Sequence, residues 1–361
     1  MKVLHILASG ELGGIEILAR DIAKYSSSEN IFCFVWKGGC IADEMLSKGA
    51  DIRILGIKSN LSADVITAYK QIQEIIRTEN VGTVIFHHSA PIMWIYLILI
   101  SCNSSVRTIL YAHNNYDNLI IKESKSSFIR KSILKVAADK ADQIIAISNS
   151  VKDSLINKGR INAKKIITVY NGIDTKKFIM RDDGEKNKII YVGRLTYNKG
   201  VNVLVEALNL LKDTSYTLDI VGTGPELPNL QEQIRKFGLE DKIRLLGAQN
   251  DVPSWLSKAN IFVHPAIWEE GFGIAVVEAM SCGLIVVASN TGAMPEIIKD
   301  GATGFLCKKG DAIELAKTLR FIGNLSETEQ CHMKRLARKD AEQYSIEKMV
   351  ERLDSIANGK E

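Results

Sequence analysis

Residues 189–208 read IIYVGRLTYNKGVNVLVEAL. The four opening residues are apolar without alternation, as a strand covered on both faces must be. A loop bounded by Gly193 and Gly200 follows, and the apolar residues of VNVLVEAL then recur at helical spacing. Strand, glycine-containing loop and helix in that order make one βα unit of a parallel sheet. The chain opens in the same way, with VLHILASGELGGIEILARDIA at residues 3–23. Two such openings point to two Rossmann-like domains facing each other across a cleft, an α/β fold.

The remaining apolar runs fit that division. Strands are expected at residues 3–8, 31–36, 51–55, 83–87, 108–111, 143–147 and 166–169 in the first half. In the second they are expected at 188–192, 217–221, 243–246, 261–264 and 284–288. Between the two series lie residues 174–188, whose charged stretch RDDGEKNK holds no apolar side chain, which marks a linker. After Gly310 the pattern is helical to the end, with Asp311 and Ser345 as N-caps. The expected domains are residues 1–175 and 186–344, with the last helix, 345–361, counted with the first.

Composition excludes several classes of protein. The 361 residues are 46% hydrophobic and 24% charged, enough for a substantial core and unlike a disordered chain. The formal net charge of +4 is too small for a nucleic-acid groove, so no nucleic-acid partner is expected. Between residues 118 and 165, however, eleven basic residues outweigh four acidic ones. The six cysteines form no Cys-x-x-Cys pair, so neither a zinc site nor a disulfide framework is indicated. The opening apolar run is too short for a signal peptide, and the longest one, residues 90–100, is about half the ~20 residues a spanning helix needs. A reduced, cytoplasmic protein is expected. The helix-like stretch 126–136, within the basic segment 122–140, mixes Phe128, Ile129 and Ile133 with Arg130, Lys131 and Lys135. Such a face suits peripheral contact with an anionic membrane, here the inner face of the plasma membrane, as well as an ordinary half-buried helix.

Four places carry chemistry. Gly13 and Gly14 stand where the first strand hands over to a helix, so bare N–H groups can meet a phosphate at the positive helix end; a glycine pair also makes a simple tight turn. The spacing of a G-x-G-x-x-G dinucleotide fingerprint is absent there and at Gly222-Thr-Gly224. In the loop 193–200, Arg194 and Lys199 can clamp a diphosphate, the first by bidentate hydrogen bonds and the second as a point charge. Residues 264–280, HPAIWEEGFGIAVVEAM, place Glu270 in a glycine loop before a helix and Glu278 inside that helix, suited to vicinal hydroxyls. His113 follows a strand end, where a parallel sheet opens to its ligands. His87-His88 also ends a strand but has no third ligand at metal spacing and reads as structural. No Asp-x-Asp occurs, which weighs against a carboxylate-held metal on a diphosphate.

In this order the motifs resemble the retaining glycosyltransferases of family 4, also called group 1, which have the GT-B fold. The resemblance runs through Gly13-Gly14-Ile15-Glu16, His113, Asn171-Gly172-Ile173-Asp174, Gly193-Arg194 with Lys199-Gly200, Gly222-Thr-Gly224-Pro-Glu226, Glu270 with Glu278, and Thr291-Gly292-Ala-Met-Pro-Glu296. It is detailed in the second half and intermittent in the first. It implies that Arg194 and Lys199 hold the donor diphosphate, with N–H groups of Gly13 and Gly14 closing on it from the other domain. Glu16 and Gly222 belong to the same binding set. Glu278 would bind the ribose, and Glu270, in the loop of Gly271, would hold donor-sugar hydroxyls with the N–H groups of Phe272 and Gly273. His113 would sit at the reactive face of the sugar. Two positions depart from the family pattern: Glu269 before Glu270, and Asn114 after His113.

The expected activity is transfer of a hexose or N-acetylhexosamine from a nucleotide diphosphate sugar, with UDP favoured, to a lipid-linked or growing glycan acceptor. No cofactor and no metal are expected, since two cations and helix N-termini can stabilise the leaving diphosphate. An epimerase or hydrolase of a nucleotide sugar on the same fold is the alternative. A binding protein without turnover and a dehydrogenase are weaker readings.

Overall fold

The computed structural model describes residues 1–58, 62–87, 90–120, 127–181 and 184–360. The chain divides into two compact units, Met1–Gly172 with Ile346–Glu361, and Ile173–Ser345.

The first unit is built on a parallel sheet of seven strands: β1 (Lys2–Ser9), β2 (Glu29–Lys37), β3 (Asp51–Ile54), β4 (Val81–Phe86), β5 (Arg107–Ala112), β6 (Gln143–Ala146) and β7 (Ile166–Thr168). Their order across the sheet is β3-β2-β1-β4-β5-β6-β7. Leu4, Ile6 and Leu7 on β1 and Phe32 and Phe34 on β2 are buried, because helices cover both faces. The apolar run at residues 90–100 forms the helix Pro91–Asn103, started by a proline whose missing N–H costs nothing in a first turn. Met93, Trp94, Tyr96, Leu97 and Ile100 on it are buried, so its uniform apolarity is that of a core helix. Among the described residues no helix is long and apolar enough to cross a membrane.

The second unit holds six parallel strands: β8 (Glu185–Val192), β9 (Thr217–Val221), β10 (Ile243–Gly247), β11 (Ala259–His264), β12 (Ile285–Ser289) and β13 (Gly304–Cys307). Their order is β10-β9-β8-β11-β12-β13. One core runs from Ile189 and Tyr191 on β8 through Leu204 and Leu208 to Leu315 and Leu319.

Two expectations are corrected. The strand β13 escaped the sequence reading, because Gly304–Cys307 is four residues long, set between polar segments, with Phe305 and Leu306 only half-buried. Register with β12, from Val286 against Gly304 to Ser289 against Cys307, makes it a strand. The expected linker at 174–188 also ends too late, since residues 185–188 already belong to β8. There Lys188 is buried and paired with Glu185, so a charge-rich stretch is carried into the sheet by local ion pairing. Asp311 caps the helix Ala312–Asn324 as expected, its Oδ1 accepting from the Glu314 N–H at 2.9 Å. Ser345 stands directly before the helix Ile346–Ala357.

Candidate active site

In each sheet the strand order reverses at one place, between β1 and β4 in the first and between β8 and β11 in the second. Loops leaving neighbouring strands diverge there and open a crevice at the carboxyl ends, where parallel sheets bind their ligands. The motif residues lie on those loops: Gly13 and Gly14 after β1, His87 after β4, Arg194 and Lys199 after β8, and Glu270 after β11.

The second unit assembles its loops through the backbone. The Gly193 N–H donates to Val221 O at 3.0 Å, and the Leu195 N–H to Thr223 O at 2.8 Å. A Cβ on Gly222 would lie 1.9 Å from the Gly193 carbonyl oxygen, so glycine at 222 serves the close approach of these two loops. The Ile267 N–H donates to Asn198 O at 3.0 Å, which seats the lysine loop against the segment after β11. Behind that segment the Ala293 N–H donates to Glu270 O at 3.0 Å. Gly292, at φ +58°, packs so tightly there that a Cβ would stand 2.1 Å from the same oxygen. The Thr291-Gly292 turn is therefore the floor on which Glu270 rests.

These contacts bring Lys199 and Glu270, 71 positions apart, to 2.5 Å, each side chain 20% exposed. His264, at the end of β11, approaches the same Glu270 oxygen with its Nε2 at 3.2 Å. Burial by itself would raise the Glu270 carboxyl. The His264 hydrogen bond and the Lys199 charge outweigh it and hold the carboxyl well below the usual range. Arg194 is exposed and makes no ion pair among the described residues, so the two expected clamp cations stand in different states. Sequence reading gave Lys199 to a diphosphate and Glu270 to sugar hydroxyls; the structure pairs them with each other. It also shows His264 as a partner that sequence reading missed, although a His-Pro at a strand end six residues before a loop carboxylate was a usable signal.

The helix Ile274–Ser281 starts after Gly273, whose φ of +85° turns the chain out of the loop. Glu278 lies half-buried on this helix, four residues past its first. Gly271 and Phe272 are buried, and the Phe272 ring packs edge-on against Tyr344 at 5.4 Å, so the side chain serves the core and only its backbone can serve a ligand.

In the first unit Gly13 caps the helix Gly14–Tyr25 without a side-chain hydrogen bond. A Cβ on Gly14 would meet nothing within 4 Å, so packing does not require glycine there. Glu16 lies in the first turn, folded back toward Gly13, and its burial raises its carboxyl above the ordinary value. His113 follows β5 with its ring 4.4 Å from Tyr111 and 5.6 Å from His87. His88, Lys122 and Lys125 lie outside the described residues. Among the described residues no three His, Cys, Asp or Glu side chains converge as a metal would require.

Comparison with known proteins gives the family of the chain. The family "Glycosyl transferases group 1" matches residues 172–340, and "Glycosyltransferase Family 4" matches residues 12–177. An uncharacterised glycosyltransferase of Methanocaldococcus jannaschii is 31% identical over 263 residues, which is 72% of this chain and 71% of that one. The chain belongs to the group 1, family 4 glycosyltransferases. The N-acetyl-alpha-D-glucosaminyl L-malate synthase of Bacillus anthracis is 25% identical over 302 residues, 78% of this glycosyltransferase and 76% of the relative. The crystal structure of HepE from Anabaena in complex with UDP superposes with a TM-score of 0.86 at 19% identity, covering 99% of this chain and 100% of HepE. That likeness establishes the fold of this glycosyltransferase as GT-B.

Proposed function

We propose that this glycosyltransferase is a retaining, metal-independent hexosyl- or N-acetylhexosaminyltransferase that uses a nucleotide diphosphate sugar, UDP-linked, and a lipid-linked or growing glycan acceptor. The observation that carries the reading is the group Lys199, Glu270 and His264 beside the exposed Arg194, on glycine loops at the β8/β11 crevice. Lys199 is held by Glu270 until a stronger anion arrives. A diphosphate offers Lys199 and Arg194 more charge than one carboxylate does, and it frees Glu270 to accept from sugar hydroxyls. Glu278 is assigned to the ribose. The UDP assignment draws on the UDP bound to HepE, and the N-acetylhexosamine on the name of the Bacillus relative. Gly13, Gly14, Glu16 and His113 are assigned to the diphosphate and the reactive face, as the family resemblance implies.

In the proposed step the acceptor oxygen bonds to the anomeric carbon on the face that the diphosphate leaves. The carbon–phosphate oxygen bond breaks, its electron pair goes to the diphosphate, and the departing phosphate oxygen takes the acceptor's proton. The cations stabilise the charge on the leaving group as it develops. In this step Glu270 accepts from sugar hydroxyls and keeps His264 as a partner, so no carboxylate is assigned as nucleophile.

For the acceptor, the helix Ser127–Lys140 leaves Phe128 78% exposed, with Ile129 and Val136 also exposed among Lys131 and Lys140. Exposed apolar side chains on a helix that also carries exposed lysines suit an anionic lipid surface, the peripheral contact proposed here.

The test is a screen of UDP-, GDP- and ADP-sugars followed by NMR of the anomeric proton, without acceptor and with membrane lipid extract. Slow nucleotide release from one donor, accelerated by extract with the anomeric configuration kept, is the expected outcome. Inversion would overturn the mechanism, and rapid turnover without acceptor would favour the epimerase or hydrolase.

A further inference from the structure

Five side chains in the first unit form a chain of hydrogen bonds that ends beside His113. Asp354, on the helix Ile346–Ala357, accepts from the Ser26 hydroxyl at 2.7 Å. Ser26 Oγ accepts from Asn30 Nδ2 at 2.7 Å, and the same amide nitrogen donates to Ser28 O at 3.0 Å. Asn30 Oδ1 lies 2.9 Å from His5 Nε2, and His5 Nδ1 lies 2.8 Å from His87 Nε2. His5 and His87 are both buried in the sheet, on β1 and directly after β4.

The direction of every bond follows from two groups that can only accept, the Asp354 carboxylate and the Ser28 carbonyl. They turn the Asn30 amide so that its oxygen faces His5, and that oxygen demands a proton on His5 Nε2. Neutral His5 then has a lone pair on Nδ1, which demands a proton on His87 Nε2. Burial keeps both rings uncharged, bringing His5 down to about 4 and His87 well below its ordinary value. All donors point toward Asp354, so each bond polarises the next. At the far end His87 Nδ1 is left as a buried acceptor with no partner among the described residues.

The His87 ring lies 20° from parallel to the His113 ring, their centroids 5.6 Å apart, and Tyr111 packs against both. A ring fixed in the plane by the chain of bonds fixes the ring stacked on it. We propose that His87 is the positioning residue for His113, locked in one tautomer and one orientation by the relay through His5, Asn30 and Ser26 to Asp354. The proposal rests on the reading of His113 as the group at the reactive face.

The experiment is long-range proton–nitrogen correlation NMR on the full chain with labelled histidine, paired with transfer kinetics. In the unmodified protein His5 and His87 should both show neutral rings protonated at Nε2. His5→Phe keeps a ring against Phe32 but breaks the chain; both His87 tautomers should then appear. Its kcat for transfer should fall about tenfold, with donor KM and free-nucleotide affinity unchanged. His5→Gln can still accept and donate and should restore most of the loss. Should His5→Phe fail to fold, Asp354→Asn, which removes the charge at the far end, should show the same changes more weakly. A proton on His87 Nδ1, a charged His87, or a kcat within twofold of the parent would overturn the relay. A chain that transfers no sugar to any acceptor would overturn the functional reading, while the spectra would still decide the relay.

Discussion

On the proposed reading Lys199 carries two duties in turn. Paired with Glu270 it offsets the cost of burying a carboxylate; released from it, the same ammonium is available to a phosphate. Lys199→Ala should cut turnover by more than tenfold, and it leaves Glu270 with His264 alone. A loss of about 1–2 kcal/mol in urea denaturation is expected for that partly exposed pair; unchanged turnover would remove the diphosphate role. Glu278→Ala should weaken binding of free nucleotide at least tenfold by calorimetry; equal affinity would contradict its ribose role. His5 makes a separate prediction. Its folded value of about 4 lies below the ~6.5 of an unfolded histidine, so the unfolded chain binds more protons between those limits. Stability contributed by neutral His5 is complete above ~6.5 and is lost as pH falls toward 4, and His87 acts in the same sense. Asn30 and Asp354, which favour the charged form of His5, are outweighed by burial. The urea midpoint should drop between pH 7.5 and pH 5, before ordinary carboxylates protonate, and should do so less in His5→Phe.

At the scale of elements, sequence pattern was a good guide where an element is long and covered on both faces. β1, β8 and β11 announce themselves as apolar runs, and the glycine loops after them follow at once. β13 does not: Gly304–Cys307 offers only Phe305 and Leu306 as half-buried apolar residues, and its register with β12 makes it a strand. The helix Ser127–Lys140 was legible as apolar and basic, but not which face was covered. Leu134, Ala137 and Ala138 turn inward, and Phe128 and Ile129 are left in solvent. Replacing both exposed residues by serine should reduce co-sedimentation with anionic vesicles severalfold while nucleotide binding stays unchanged. Equal sedimentation would remove the membrane contact.

For the whole molecule, the last helix completes the first unit from the far end of the chain. Ile346, Met349, Val350, Leu353 and Ile356 are buried on it, and at roughly 1.5–3 kcal/mol per side chain they contribute about 10 kcal/mol, as much as a domain's net stability. Thr83 Oγ1 donates to Ala357 O at 2.7 Å, and Ser26 and Ser27 are tied to Asp354. Truncation after residue 345 should therefore abolish cooperative unfolding of the first unit and leave that of the second, read by hydrogen exchange of β1 against β8.

The sequence by itself determined the two parallel sheets, the glycine loops at their switch points and the family, because those follow from local runs of side chains and from motifs a few residues long. Only the tertiary structure decided that Lys199 meets Glu270, that His264 joins them, and that His5, His87 and Asp354 form one chain of bonds. Apart from His264 and Glu270, six positions apart, those partners are separated by tens to hundreds of residues, and strand order, which no local pattern encodes, chooses which of them touch.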